Sequence, residues 1–238
     1  MAEFLIRKKF LLKILSLFSL TRGYNIIFII FAQFVSSIFI FSNSDNILDV
    51  LFDVNIWFII LSSSTSISAG YIINNFYDSE KDLINRPLKT ILENEISGRT
   101  KLIAYTLLNF CTLLFSLLVS LKALIFFSFY TFGIFIYSIK LSKYLFIGNF
   151  LSVILVITPF FAITVYYKNF SLEILTQALF FYFVILIKEL IKDLENLKGD
   201  FTMKYRTIPV IYGENLTKSY ITMYVFFVIA TCLNLIIN

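Results

Sequence analysis

Seven stretches of mostly apolar residues, each near the roughly 20 that carry a helix across a bilayer, leave this chain few ways to fold. They run approximately over 24–41, 54–73, 102–121, 123–139, 144–167, 172–191 and 220–237. Only Lys122 breaks the apolar run 102–139, which is long enough to cross twice and predicts a tight helical hairpin. With 59% apolar and 15% charged residues, the chain is far from the quarter or so of charged residues in ordinary soluble domains. The prediction is an all-α, polytopic transmembrane bundle of about seven spans in a single domain, 1–238. In it, 1–20 is an interfacial N-terminal helix and 219–238 the last span.

The N-terminal arm, 4–20, has a basic start and a leucine-rich body. Lys13 interrupts it and no small-residue cleavage site follows before Arg22, so it reads as an uncleaved interfacial helix rather than a secretory signal. Cys111 and Cys232 lie inside apolar stretches without metal-binding spacing and read as reduced core residues. Histidine is absent, which removes imidazole zinc ligands and His general-base schemes. The net charge of +5 comes with no aromatic-interleaved basic patch, so nucleic acid is not an expected partner; membrane lipids and anionic substrates are.

Lys and Arg set the orientation. Eighteen of the 20 fall on one side of the spans: in the N-terminal arm, in the second-to-third connection (Lys81, Arg86, Lys89, Arg99, Lys101), in the fourth-to-fifth (Lys140, Lys143) and in the sixth-to-seventh (among them Lys188, Lys192, Lys198, Lys204 and Arg206). Only Lys122 and Lys168 fall on the other. The first side is therefore expected to be cytoplasmic, in a bacterial inner membrane.

Two acidic clusters lie on that side. Asn74, Asp78 and Asp82 are spaced i, i+4, i+8, which on a helix keeps them within about a quarter of its circumference. Glu189, Asp193, Asn196 and Asp200, at i, i+4, i+7 and i+11, predict one helical stripe, with Lys188 and Lys192 beside it. Carboxylates at the membrane edge are costly unless paired, solvated or metal-bound, so each cluster is a candidate site. An acidic loop can also be merely solvated, but two of matching spacing point to oxygen-only ligation of Mg2+, which completes its octahedron with water and substrate phosphate. The candidate metal ligands are Asn74, Asp78, Asp82, Asp193, Asn196 and Asp200. Around them Arg86, Lys140, Lys143, Lys204 and Arg206 are suited to a diphosphate, although positive-inside topology alone would also place cations here.

These residues resemble the UbiA superfamily of intramembrane prenyltransferases. Asn74, Asp78 and Asp82 match its N-x-x-x-D-x-x-x-D signature, continued by Ile84-Asn85-Arg86-Pro87. Asp193 and Asp200 match the outer acids of its second motif, with Asn196 in the middle. Tyr137 and Lys140 resemble its Tyr-Ser-x-x-Lys loop, Gly148-Asn149 its Gly-Asn, Arg22 and Asn25 its R-P-x-N opening, and Gly199-Asp200 through Thr207-Ile208-Pro209 its G-D…T-L-P stretch. The resemblance covers about 22–213. Asn75 and Asn196 depart from it where acids are usual, and seven spans stand where the family has nine, so a truncated or short variant with a more open chamber is expected.

The resemblance implies Mg2+-dependent transfer of a prenyl group from an isoprenoid diphosphate to a lipophilic acceptor. Asp78, Asp82, Asp193, Asp200, Lys140 and Tyr137 would act at the reacting groups, and Asn74, Arg22, Asn25, Arg86, Lys143, Lys204 and Arg206 would bind substrate. Tyr137 and Tyr77 are the aromatic candidates to face an allylic cation. The motif style is closest to the branch that geranylgeranylates a glycerol-phosphate ether. An aromatic, quinone-precursor prenyltransferase and a non-catalytic lipid-binding or transport protein stay open as alternatives.

Overall fold

In the computed structural model, residues 12–42 and 46–237 are described. Among them every regular element is helical, as a chain immersed in hydrocarbon requires when each backbone N–H and C=O must find its partner internally. Seven of the described helices are long and apolar enough to cross a membrane. Helix α1 (Gly23–Ser36) runs on through a π-helical turn, Ser37–Phe41, and the short α2 (Ile47–Leu51) follows. Then come α3 (Val54–Asn85), α4 (Pro87–Glu93), α5 (Gly98–Val119) and α6 (Leu121–Ile139). A 3₁₀ turn (Leu141–Lys143) leads into α7 (Ile147–Tyr167), α8 (Leu172–Glu195), α9 (Leu197–Thr202) and α10 (Ile208–Ile237). Of the expected N-terminal helix, 12–20 is helical and 1–11 lies outside the described residues; its Leu20 packs on Ile72 and Ile96.

Helix α3 is the hub. It packs against α1, α5, α6 and α7 in the bundle and against α9 beneath it. The run Ser62-Ser63-Ser64-Thr65-Ser66, followed by Ser68, explains why: small side chains let neighbouring backbones approach closely, and five of these serines are buried with hydroxyls bonded to carbonyls of the preceding turn. Gln33 of α1 donates to Ser63 Oγ and to the Pro159 carbonyl, both at 3.1 Å, tying α1, α3 and α7 together inside the bundle. Pro159 has no N–H to give the Leu155 carbonyl one turn back; the Tyr130 hydroxyl on α6 takes that carbonyl instead, at 2.9 Å.

The expected hairpin is present: Ser120 alone joins α5 to α6 and caps α6 by accepting from the Ala123 N–H at 3.1 Å. Two spans run far beyond the hydropathy boundaries, from 73 to 85 and from 220 back to 208. Helix α3 continues past Ile73 to Asn85 and so carries the first acidic cluster as helix. It stops there because Pro87 excludes helical geometry from Arg86 (φ −141°, ψ 62°). Helix α10 begins at Ile208 and bends at Gly213 (φ 82°), a conformation favoured by glycine.

Candidate active site

The end of α3 and the α8–α9 junction meet beneath the bundle. The Asn85 side-chain oxygen accepts the Gly199 N–H at 2.9 Å, so the first cluster's helix is docked on the second cluster's. A Cβ at position 199 would stand 2.4 Å from the Asn85 amide nitrogen, which is why glycine precedes Asp200. The predicted single stripe is divided: α8 ends at Glu195 and a short α9 begins after Asn196 (φ −91°, ψ 4°), yet Glu189, Asp193, Asn196 and Asp200 all face one cavity. On its other walls are Arg22, Asn74, Asp78, Asp82, Arg86 and Tyr137. These ten residues thus converge from four parts of the chain.

Asp78 is held from three directions. Asn74 donates to Oδ2 at 3.1 Å, Tyr205 donates to Oδ1 at 3.1 Å, and the Lys81 ammonium lies 3.3 Å from Oδ2. The same ammonium lies 3.6 Å from Oδ1 of Asp200, joining the two motifs. Asn149 donates to Asp193 Oδ2 at 2.7 Å; Gly148, whose Cβ would press on the Ser142 carbonyl at 3.0 Å, lets the start of α7 approach this closely. Lys192 pairs with Glu189, and Arg86 reaches Glu195 at 3.7 Å. Burial pushes the Asp200 carboxyl above the usual carboxylate range, against the pull of Lys81. Burial and the Asp78 carboxylate push the Tyr205 hydroxyl up as well, which keeps it a donor.

Other candidates fall outside the cavity wall. Lys140, Lys204 and Arg206 are exposed, and Asn25 is exposed on the first turn of α1. Lys143 stands at the rim, 5.1 Å from the centre of the Tyr205 ring, and its carbonyl accepts the Arg206 N–H at 3.0 Å. Tyr77 is exposed and packs edge-on against Phe76. Sequence reasoning missed Tyr205, Lys81, Glu93 and the role of Asn149. Tyr205 lies inside the matched 199–209 stretch but is not one of its signature letters; Lys81 reads as one more positive-inside lysine.

The departure at Asn75 has a physical reason. Its Nδ2 donates to Glu93 Oε2 at 2.8 Å, and its Oδ1 accepts from the buried Lys101 ammonium at 2.8 Å. Ser19 donates to the other Glu93 oxygen at 3.0 Å. A carboxylate at position 75 would face the Glu93 carboxylate with no proton between them.

Among the described residues no three Cys, Asp or Glu side chains close on a single point. Magnesium does not need such a cage, because it binds through one or two carboxylates together with water and substrate phosphates. The cavity fits that mode: carboxylates from both motifs face it, and the buried Oδ1 of Asp200 receives no hydrogen bond. A second, apolar cavity of about 200 Å³ lies between α1, α7 and α8 towards the opposite end of the bundle, lined by Ile40, Phe41, Phe160, Phe161, Ile174 and Phe181 among others.

Fold and site together define a polytopic helical membrane protein built around a polar cavity with two acidic motifs. The chain belongs to the UbiA prenyltransferase family, whose model matches residues 25–237. It is 29% identical over 155 residues to a digeranylgeranylglyceryl phosphate synthase of Saccharolobus solfataricus, covering 62% of this chain and 53% of that protein. It is 32% identical over 158 residues to one of Thermococcus gammatolerans, covering 66% and 56%. The chain thus spans little more than half the length of these relatives. The solved structure of a UbiA homologue from Archaeoglobus fulgidus bound to GPP and Mg2+ shares the fold, with a TM-score of 0.72 at 13% identity over 92% of this chain and 77% of that one.

Proposed function

We propose that this chain is a Mg2+-dependent prenyltransferase that moves a prenyl group from an isoprenoid diphosphate, geranylgeranyl diphosphate by preference, to the hydroxyl of a glycerol-phosphate ether. The observation that carries this reading is the junction of the two motifs: Asp78 and Asp200, from separate helices, face one cavity with Lys81 between them. The relatives named above support the acceptor class, and the fold neighbour with GPP and Mg2+ supports the donor and the ion.

Asp78, Asp82, Asp193 and Asp200, with the amide oxygens of Asn74 and Asn196, would hold the ion. When bound, Mg2+ offsets charge developing on the departing diphosphate. Tyr205 and Asn74 orient Asp78, and Asn149 orients Asp193, so the carboxylates are set before substrate arrives. Arg22 and Arg86 in the wall, and Lys143 at the rim, offer donors to phosphate oxygens. The C1–O bond of the donor breaks with its electron pair going to diphosphate. The acceptor oxygen then forms the new C–O bond to C1, and its proton passes to diphosphate or to a carboxylate of the cavity. Tyr137, in the wall on the bundle side, presents an aromatic ring to the allylic cation. The apolar cavity between α1, α7 and α8 is suited to the isoprenoid tail. The positive-inside asymmetry supports a site facing the cytoplasm.

The test is diphosphate release from geranylgeranyl diphosphate in nanodiscs, with and without Mg2+, against a panel holding a prenylated glycerol phosphate and an aromatic acid. Turnover is expected with the glycerol phosphate and Mg2+, and loss of it in Asp78→Ala and Asp200→Ala proteins that remain folded. Both variants keeping more than about a tenth of the rate, roughly 1.4 kcal/mol of barrier, would remove the two-motif site.

A further inference from the structure

We infer that Lys81 is a resident counter-ion of this site, an ammonium tethered between Asp78 and Asp200 that a divalent cation must displace and that moves to the diphosphate when the two arrive together. The inference rests on the metal-diphosphate reading given above.

Each other cation in the cavity wall has a partner of its own. Arg22 lies 4.6 Å over the Tyr71 ring, Arg86 pairs with Glu195, Lys89 with Glu93 at 3.5 Å, and Lys192 with Glu189. Among the described ion pairs only Lys81 pairs with a candidate metal ligand of each motif, with Asp78 Oδ2 at 3.3 Å and Asp200 Oδ1 at 3.6 Å. Its side chain is 13% exposed, and those of the two acids are 6% and 3%. Two carboxylates this deep repel each other and lose hydration, so a cation between them favours the docked arrangement of the two helices, which the Asn85–Gly199 hydrogen bond also holds.

The contacts suit a cation that leaves. Charge-assisted N–H···O bonds settle at about 2.7–2.9 Å, and both distances here are longer, so the ammonium is held by the field of the two acids and not by tight hydrogen bonds. A further hold comes from the Tyr205 ring, 4.8 Å away, a partner that does not depend on the carboxylates. The four-carbon stem allows the head to swing while its Cα stays on α3. A divalent ion that takes Oδ1 of Asp200, which receives no hydrogen bond but faces Lys81, meets the ammonium as a like charge. A metal without diphosphate is therefore disfavoured, whereas a metal with diphosphate brings oxygens that accept the displaced lysine. Lys81 thereby couples the binding of the ion to the binding of the diphosphate.

The experiment uses Mn2+ as an EPR-visible probe with the full chain in nanodiscs, without and with inorganic pyrophosphate. Without pyrophosphate, Lys81→Met is expected to bind Mn2+ at least about tenfold more tightly than the wild type, and Lys81→Arg to bind as the wild type does. Pyrophosphate should tighten Mn2+ binding more in the wild type than in Lys81→Met. Lys81→Gln takes the place of Lys81→Met if that protein does not fold. Equal Mn2+ affinity in wild type and neutral variant, or equal tightening by Lys81→Arg and Lys81→Met, overturns the role of Lys81 and leaves the metal-diphosphate reading intact. No Mn2+ binding by any of these proteins, even with pyrophosphate, overturns that reading and this inference with it.

Discussion

The Tyr205 hydroxyl donates a 3.1 Å hydrogen bond to Oδ1 of Asp78, joining residues 127 positions apart. The segment after α9 thereby folds back over the first motif. The same ring carries Lys81 on one contact and Lys143 on another, at 4.8 and 5.1 Å. One side chain thus orients a candidate metal ligand and gathers two cations at the place where a diphosphate would arrive.

Tyr205→Phe separates these roles, since it keeps the ring and removes the hydroxyl. A hydrogen bond to a charged group contributes about 1.5–3 kcal/mol. The variant should fold, keep its apparent affinity for the prenyl donor within about twofold, and lose at least tenfold in the rate of diphosphate release, roughly 1.4 kcal/mol of barrier. Steady-state kinetics with geranylgeranyl diphosphate checks this; an unchanged rate would show that Asp78 needs no orientation from Tyr205.

Asn75→Asp should destabilise the protein even though it restores the acid that is usual at this position in the family. It removes the proton donated to Glu93 and sets two buried carboxylates 2.8 Å apart. Leaving such a group unsatisfied costs about 1–3 kcal/mol. Thermal unfolding in detergent should show a lower Tm, recovered in Asn75→Asp/Glu93→Gln, where the glutamine amide supplies the lost donor.

Asn196 is buried, lines the cavity and sits at the α8–α9 junction, between Asp193 and Asp200. An added charge strengthens coordination of a hard cation. Asn196→Asp should therefore lower the Mg2+ concentration giving half-maximal rate, and Asn196→Ala should raise it. Superimposable magnesium titrations of the three proteins would remove Asn196 from the ligand set.

Sidedness is tested with single cysteines in intact cells after replacement of Cys111 and Cys232. Position 97 lies in the exposed turn before α5 and position 168 at the exposed end of α7. A membrane-impermeant maleimide should label Lys168→Cys and spare Ser97→Cys. The opposite pattern would invert the topology.

The spans were legible because hydrocarbon selects for apolar length, and length is written directly in sequence. The hairpin at Ser120 was equally plain, since a 38-residue run over 102–139 cannot cross once. The ends of α3 and α10 were not, because a helix leaving the membrane continues through polar residues until something stops it; for α3 that is Pro87, whose effect is local and whose position hydropathy does not register.

By itself the sequence determined a helical membrane bundle, the two acidic motifs, their shared side of the membrane and the family that their spacing marks. Periodicities of about 20 and four residues carry that information, and each depends only on neighbours along the chain. Which polar groups meet was decided only in three dimensions. Tyr205 on Asp78, Asn149 on Asp193, Lys81 between Asp78 and Asp200, and Glu93 with Lys101 around Asn75 all join different helices or loops. The same packing leaves Lys140, Lys204 and Arg206 outside the cavity, although charge alone had suited them to it. A cation in a loop has the same composition whether it faces the site or water. The direction of its side chain is fixed by how the 3₁₀ turn after α6 and the segment after α9 dock against each other, a long-range contact that no local spacing encodes.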